Sequence, residues 1–275
     1  MTRLARTVDG TPMVGDDEGF VPLSAAAPGT DVEDVADALA APRTPTVADA
    51  TAATTPADDL RFGPPLSAFG KLFGVGLNYR DHAADLGERR PEAPASFIKP
   101  ASTVAPPGGP IRLPPPELAD RVTAEAELAV VVGRTCRNVA ASAVDRVVAG
   151  YLPVLDCTAE DVLDRDPRFL TRAKAFDSFL VVGPWIRTAD AVALDDVTVR
   201  TVHDGETVAT GDVDGMAFSP RELVAYHSRV MTLEPGDVLL TGTPGAAVVD
   251  PGDRVRAEVD GVGGVVADVT RRARD

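Results

Sequence analysis

The stretch GVGLNYRDHAADLG, residues 74 to 87, holds His82 with Asp85 three residues on, in a chain with three histidines. On a short helix from 78 to 86, with Asn78 as cap and Gly87 as stop, the two side chains share a face. A carboxylate beside an imidazole raises its basicity and fixes its tautomer, as a water-activating base requires. A solvated helix face carries the same spacing. A second candidate is the run RVTAEAELAVVVG, in which Glu125 and Glu127 lie two residues apart. In a strand they point to one face, and the following LAVVVG, apolar on both faces, carries the strand into a core. Asp156 closes another apolar run, YLPVLD. Like charges near a core need a cation or strong hydrogen bonds to compensate them. Three carboxylates suit a hard divalent ion, Mg²⁺, Mn²⁺ or Ca²⁺, rather than zinc. The alternative is an E-x-E on a solvated edge strand.

Two further pieces could serve such a site. Lys174, in TRAKAFDSF, stands where a polar stretch gives way to an apolar one: a fixed positive charge or a surface lysine. The loop LLTGTPG ends a strand in small residues; the backbone amides around Gly242 and the Thr243 hydroxyl could hold a carboxylate or carbonyl, or form a tight turn. His203, before Asp204-Gly205, reads as a hairpin corner, and His227 as a packed or surface residue of a helix.

The elements that must position these groups are mostly short Val-rich strands separated by Pro and Gly. Residues 1 to 23 read as a small strand meander, DVEDVADALAAP as a helix capped by Thr30 or Asp31, and 42 to 62 as an extended surface segment. Besides 78–86, helices are expected at 140–149 and 220–231. The expected organisation is α+β and β-rich: a small N-terminal α/β domain with linker, residues 1–63, and a metal-dependent domain over 64–275.

A hydrophobic fraction of 44% allows a sizeable core, while a net charge of −15 argues against nucleic acid or an anionic membrane as partner. No apolar run approaches the roughly 20 residues of a membrane span, and no signal peptide is visible. Cys136 and Cys157 do not make a disulfide framework, so a cytoplasmic protein is expected.

In order along the chain, GVGLNYRDH, FIKPASTVAPPGGPI, AEAELAVVVGRTCRNV, VAGYLPVLDCTAEDV, AKAFDSFLVVGPWI, GMAFSPRELVAYHSRVMTLEPGDVLLTGTP and PGDRVRAEVDGVG resemble the fumarylacetoacetate hydrolase family. The start, LARTVDGTPMVGDDEGFVPLSAA, is similar to the small N-terminal domain of bacterial members. The resemblance implies a mixed β-roll, a homodimer, and a divalent metal held by Glu125, Glu127 and Asp156. It also implies that His82, on a mobile lid and paired with Asp85, activates water. Lys174 matches the active-site lysine, and Thr243, with Tyr79 and Gly242, the substrate contacts. The chain departs from the family at Asp85, where Glu is common, and in TAEDVL, where Glu160 and Leu163 replace Arg and Gln. A third departure is Gly245-Ala246-Ala247 in a shortened connection after the loop. The implied reaction is hydrolysis of a C–C bond in an acylpyruvate-like 1,3-dicarbonyl acid through a metal-stabilised enolate. Decarboxylation, isomerisation or hydration of a related 2-oxo acid is the alternative, and a binding protein without turnover a third reading.

Overall fold

The computed structural model describes residues 1–80 and 92–271. At its centre two long strands, Val122–Val132 and Val148–Ala159, pair antiparallel, with Glu125 opposite Asp156 and Thr123 opposite Thr158. The first is buried at every position, which is why its sequence loses polar alternation after Glu127. Side chains nonetheless alternate between two surroundings. Ala124, Ala126, Leu128, Val130 and Val132 enter one core, together with Leu155 and Cys157 of the partner strand. On the opposite face Ala129 and Val131 join Leu152 and Val154 in a second core, while Thr123, Glu125 and Glu127 occupy the other end of that same face. One face of one hairpin thus has an apolar end and a polar end.

The hairpin lies within a 12-stranded sheet. On one side Val238–Leu240 and Ala246–Val248 both pair with Val122–Val132. Val238–Leu240 also runs parallel to Leu72–Gly76, which pairs with Ala95–Lys99. On the other side Leu180–Val182 and Trp185–Thr188 pair with Val148–Ala159. Arg3–Arg6, Pro12–Gly15 and Phe20–Pro22 continue the sheet beyond Trp185–Thr188, so the N-terminal meander is hydrogen-bonded into the main sheet. A second, five-stranded sheet runs Glu206–Asp212, Thr198–His203, Arg254–Val259, Gly263–Arg271 and Ile111–Leu113. Its inward Val199, Val255, Ala257, Val265 and Ala267 face the first core. Thr201 joins the layers by accepting from the Ala126 amide at 3.1 Å and donating to the Gly245 carbonyl at 2.9 Å.

Helices are few, as a Val-rich chain predicts. Pro220–Val230 carries the expected start signals: Ser219 accepts from the Glu222 amide while Glu222 accepts from the Ser219 amide. The helix expected from Asp31 begins later, at Val35–Ala40, because Asp34 and Asp37 make the reciprocal cap that Thr30 and Asp31 do not. The helix expected at 140–149 is a 3-10 segment, Ala141–Arg146, cut short because Val148 already belongs to the central strand. Segment 42–62 contains two 3-10 turns and is tied to the first strands by bridges at Phe20–Thr55 and Thr7–Phe62. His203 sits at a hairpin corner with Asp204 and Gly205 at positive φ, and His227 is buried. Of the helix expected at 78–86, residues 81 to 86 lie outside the described residues.

Asn78, expected as that helix's cap, is buried and bonds across the fold. Its amide donates to the Thr241 carbonyl at 2.7 Å and the Phe218 carbonyl at 3.0 Å, and its oxygen accepts from the Phe218 amide at 2.9 Å. Asn78→Ala should therefore lower stability by about 1–3 kcal/mol, since it removes the amide's hydrogen bonds to the Thr241 and Phe218 backbone; urea denaturation checks this, and an unchanged midpoint would mean water replaces the amide at no cost.

Candidate metal centre

Glu125, Glu127 and Asp156 come together because strand phase puts 125 and 127 on one face and strand register puts 125 opposite 156. All three are buried, and ligand oxygens, one from each, lie within 4.8 Å of one another. Two buried ammonium groups answer this charge. Lys174, at the end of the short helix Leu170–Lys174, donates to Asp156 Oδ2 at 2.6 Å and Glu125 Oε2 at 3.0 Å. Lys99, the last residue of Ala95–Lys99, donates to Asp156 Oδ1 at 2.6 Å and to the carbonyl of Lys174 at 2.6 Å. Lys174 also lies over the Phe97 ring, 4.8 Å from its centroid.

Protonation follows from these contacts. Burial disfavours the charged form of Asp156, but Lys174 and Lys99 outweigh it and hold the carboxyl below its usual range. Glu127 goes the other way: burial and then the Asp156 charge push it well above the usual carboxylate range. None of the ion pairs among the described residues includes Glu127. Burial opposes the charge on Lys174 too, yet Asp156, Glu125 and Glu127 overcome it and raise its pKa. Lys99 is lowered, by burial first and by its neighbour Lys174.

Fixed donors orient the carboxylates. Thr158 donates to Glu125 Oε1, and the Thr123 hydroxyl lies 3.3 Å from the same oxygen. The Gly242 amide donates to Glu127 Oε2 at 2.6 Å. Gly242 has φ of +91°, and a Cβ there would meet that of Asn78 at 2.9 Å, so the turn requires glycine. Three buried carboxylates beside two ammoniums form an all-oxygen donor set, net negative once Glu127 ionises. This set fits a hard divalent cation.

The remaining candidates fall into place unevenly. Tyr79 is buried, and its hydroxyl has no hydrogen-bond partner among the described residues; burial and then the nearby Glu127 raise its pKa. Thr243 Oγ1 donates to the Gly245 carbonyl at 2.8 Å, closing its own loop, and the amide of Gly242 is engaged by Glu127. His82 and Asp85 lie outside the described residues. Glu160 turns toward the centre: its Oε1 accepts from Thr123 at 3.0 Å, and burial together with the Glu125 charge raises its pKa. Leu163, by contrast, packs against the first core. Sequence reading missed Lys99. The signal was strand phase: Phe97 and Lys99 are buried while Ile98 between them is 59% exposed.

A second group of possible ligands, His203, Asp204 and Asp253, lies partly exposed at the hairpin corner, where Asp253 caps its own turn by accepting from the Asp250 amide.

The chain is similar to known proteins in both sequence and fold. The family model described as fumarylacetoacetate (FAA) hydrolase C-terminal matches residues 71–270. The chain is 38% identical over 242 residues to the 4-hydroxyphenylacetate degradation bifunctional isomerase/decarboxylase of Salmonella dublin, covering 87% of this chain but only 55% of that longer protein. Its fold is that of 5-carboxymethyl-2-hydroxymuconate delta-isomerase from Mycobacterium smegmatis, with TM-score 0.78, 33% identity, and coverage of 99% of this chain and 100% of the other. Maleylpyruvate hydrolase from Sphingobium sp. SYK-6, solved with manganese (II) and pyruvate, gives TM-score 0.78 and 29% identity over 98% of this chain and 100% of the other.

Glu127 separates metal binding from fold maintenance, because its carboxyl is buried with no ion-pair partner among the described residues. Glu127→Gln should leave the metal-stripped protein at least as stable as wild type. Mn²⁺ at roughly a hundredfold over its dissociation constant should stabilise wild type by about 2.7 kcal/mol and the variant by far less. Thermal melts with and without Mn²⁺ check both; equal metal-induced shifts would remove Glu127 from the donor set.

Proposed function

The chain belongs to the fumarylacetoacetate hydrolase family, and from that premise we propose that it hydrolyses a C–C bond in an acylpyruvate-like 1,3-dicarbonyl acid, with Mg²⁺ or Mn²⁺ at Glu125, Glu127 and Asp156. The observation that carries the reading is the buried three-carboxylate cluster bridged by Lys174. A divalent ion held there supplies Lewis acidity and a template for the 2-oxo acid end of the substrate. The resemblance to maleylpyruvate hydrolase, whose structure contains manganese and pyruvate, supports both the ion class and the product class.

In this reading His82, oriented by Asp85, takes a proton from water onto a ring nitrogen. The hydroxide adds to the acyl carbonyl remote from the oxo acid. The bond between that carbonyl carbon and the adjacent methylene then breaks. Its electron pair passes into the enolate of pyruvate, and the acyl group leaves as the free acid. Lys174, kept protonated by its carboxylate neighbours, sets a positive charge beside the developing enolate. The buried Tyr79 hydroxyl is a donor without an acceptor among the described residues, and in this reading a bound substrate oxygen would supply one. Proton return from His82 to the methylene carbon completes pyruvate.

Acetylpyruvate, followed by its enol absorbance, tests the reading. Loss of signal should require Mg²⁺ or Mn²⁺ after EDTA treatment and yield pyruvate and acetate in equal amounts. His82→Ala should slow kcat by about 10²–10⁴-fold with metal affinity unchanged. Turnover confined to oxaloacetate, indifferent to His82→Ala and Asp85→Ala, would replace hydrolysis with decarboxylation.

A further inference from the structure

Along the polar end of the hairpin face the side chains form a ladder. Glu127 comes first, then the Glu125–Asp156 pair, then the Thr123–Thr158 pair. Glu160 follows in the same phase as Asp156 and Thr158, at the point where the strand becomes the short helix Glu160–Arg165. The backbone there is fixed by the Glu160 amide donating to the Arg121 carbonyl at 2.9 Å. One hydroxyl separates Glu160 from Glu125, since Thr123 Oγ1 lies 3.0 Å from Glu160 Oε1 and 3.3 Å from Glu125 Oε1. Its single proton goes to the nearer acceptor, Glu160, leaving Thr158 to serve Glu125.

The deep carboxylates Asp156 and Glu125 are matched by Lys99 and Lys174. Glu160 has no such partner: among the described residues it takes part in no ion pair, and Thr123 is its one side-chain donor. Its side chain is half-buried, so Oε2 remains as an acceptor at the rim of the same polar surface. A substrate whose oxo-acid end lies at the carboxylate cluster and which extends along the ladder would bring its far end to this oxygen. A second carboxylate arriving there meets a negative charge that no cation pairs directly among the described residues, Lys174 and Arg121 acting on it only from a distance, whereas a hydroxyl or ammonium finds an acceptor.

We propose that Glu160 determines specificity at the distal end of the substrate, receiving a hydroxyl or ammonium donor on Oε2 and excluding a second carboxylate. The proposal rests on the reading of the cluster as a metal-dependent oxo-acid site. A rejected group is disfavoured here by an introduced repulsion as well as by the missing hydrogen bond, the two components from which specificity is built.

Binding tests it independently of turnover. Two ligands of equal chain length differ only at the far end: 5-hydroxy-2-oxopentanoate and 2-oxoglutarate. Titration calorimetry on Mn²⁺-loaded wild type should show the hydroxy acid bound at least about tenfold more tightly. Glu160→Gln should bring the two within about threefold, and Glu160→Arg should reverse the order. Pyruvate, which does not reach Glu160, should bind all three proteins alike and so reports that the variants keep the site intact. Equal preference in wild type and both variants, with pyruvate binding retained, would overturn the role of Glu160 and leave the oxo-acid site standing. No binding of pyruvate or either longer acid to Mn²⁺-loaded wild type would instead bring down the oxo-acid reading itself, and this proposal with it.

Discussion

The structure turns on one unfavourable pair. Glu125 and Asp156 sit directly opposite each other on antiparallel strands, both removed from water. Like charges in cross-strand register destabilise a sheet even at its surface, and burial adds the cost of desolvation. The pair survives because Lys174 bridges it and Lys99 anchors its far oxygen. These lysines come from different parts of the chain, one from an edge strand and one from a short helix, so both elements must be in place before the hairpin face is tolerable. Lys99 also holds the carbonyl of Lys174, so each ammonium helps position the other. Two positive charges nevertheless do not cancel three negative ones. Burial and the Asp156 charge favour the protonated form of Glu127, and a small cation placed among the three carboxylates would supply the charge that lets it ionise.

The same hairpin explains how a dry core and a charged centre coexist. Its inner face is apolar throughout and packs against the second sheet, with Thr201 fastening the layers. Its outer face divides along its length: Ala129, Val131, Leu152 and Val154 pack under the N-terminal strands, and the carboxylates and threonines lie beyond them. The apolar end packs the strands into a buried core, and close packing of that kind resists displacement. The polar end inherits that rigidity, which a metal centre with a narrow tolerance for ligand position needs.

What was legible in the sequence follows strand phase, and what was not follows register and backbone. Phase alone put Glu125 and Glu127 on one face. The β-rich organisation was legible from Val-rich runs between Pro and Gly, and the helix expected at 220–231 is present as Pro220–Val230. That Asp156 lies opposite Glu125 depends on register, and register depends on the turn and on a shift between Val131 and Val132 that no local pattern announces. Lys99 was hidden because its strand inverts the usual rule, exposing Ile98 and burying the lysine. The role of Gly242 lies in its amide, which the residue type does not reveal. The expected helix at 140–149 failed because Ala and Val there were counted for helical period while tertiary pairing claimed Val148 onward for the central strand.

Glu160 and Leu163 show how far phase can be carried. Glu160 continues the alternation of Asp156 and Thr158, so its side chain turns to the polar face. Three residues later the chain is helical, the period has changed from two to 3.6, and Leu163 has rotated onto the apolar core. Two neighbouring departures from the family pattern therefore have different consequences. One places a charge where the ladder of carboxylates and hydroxyls opens, and the other adds packing. The deep end of the ladder is built for a cation, with its anions partly compensated by buried lysines. Its outer end presents an anion with, among the described residues, a hydroxyl as its only side-chain donor. A molecule lying along this surface is therefore asked for opposite things at its two ends, an anionic chelating group at depth and a donor at the rim. This polarity follows from the placement of two lysines and one glutamate rather than from the shape of the fold.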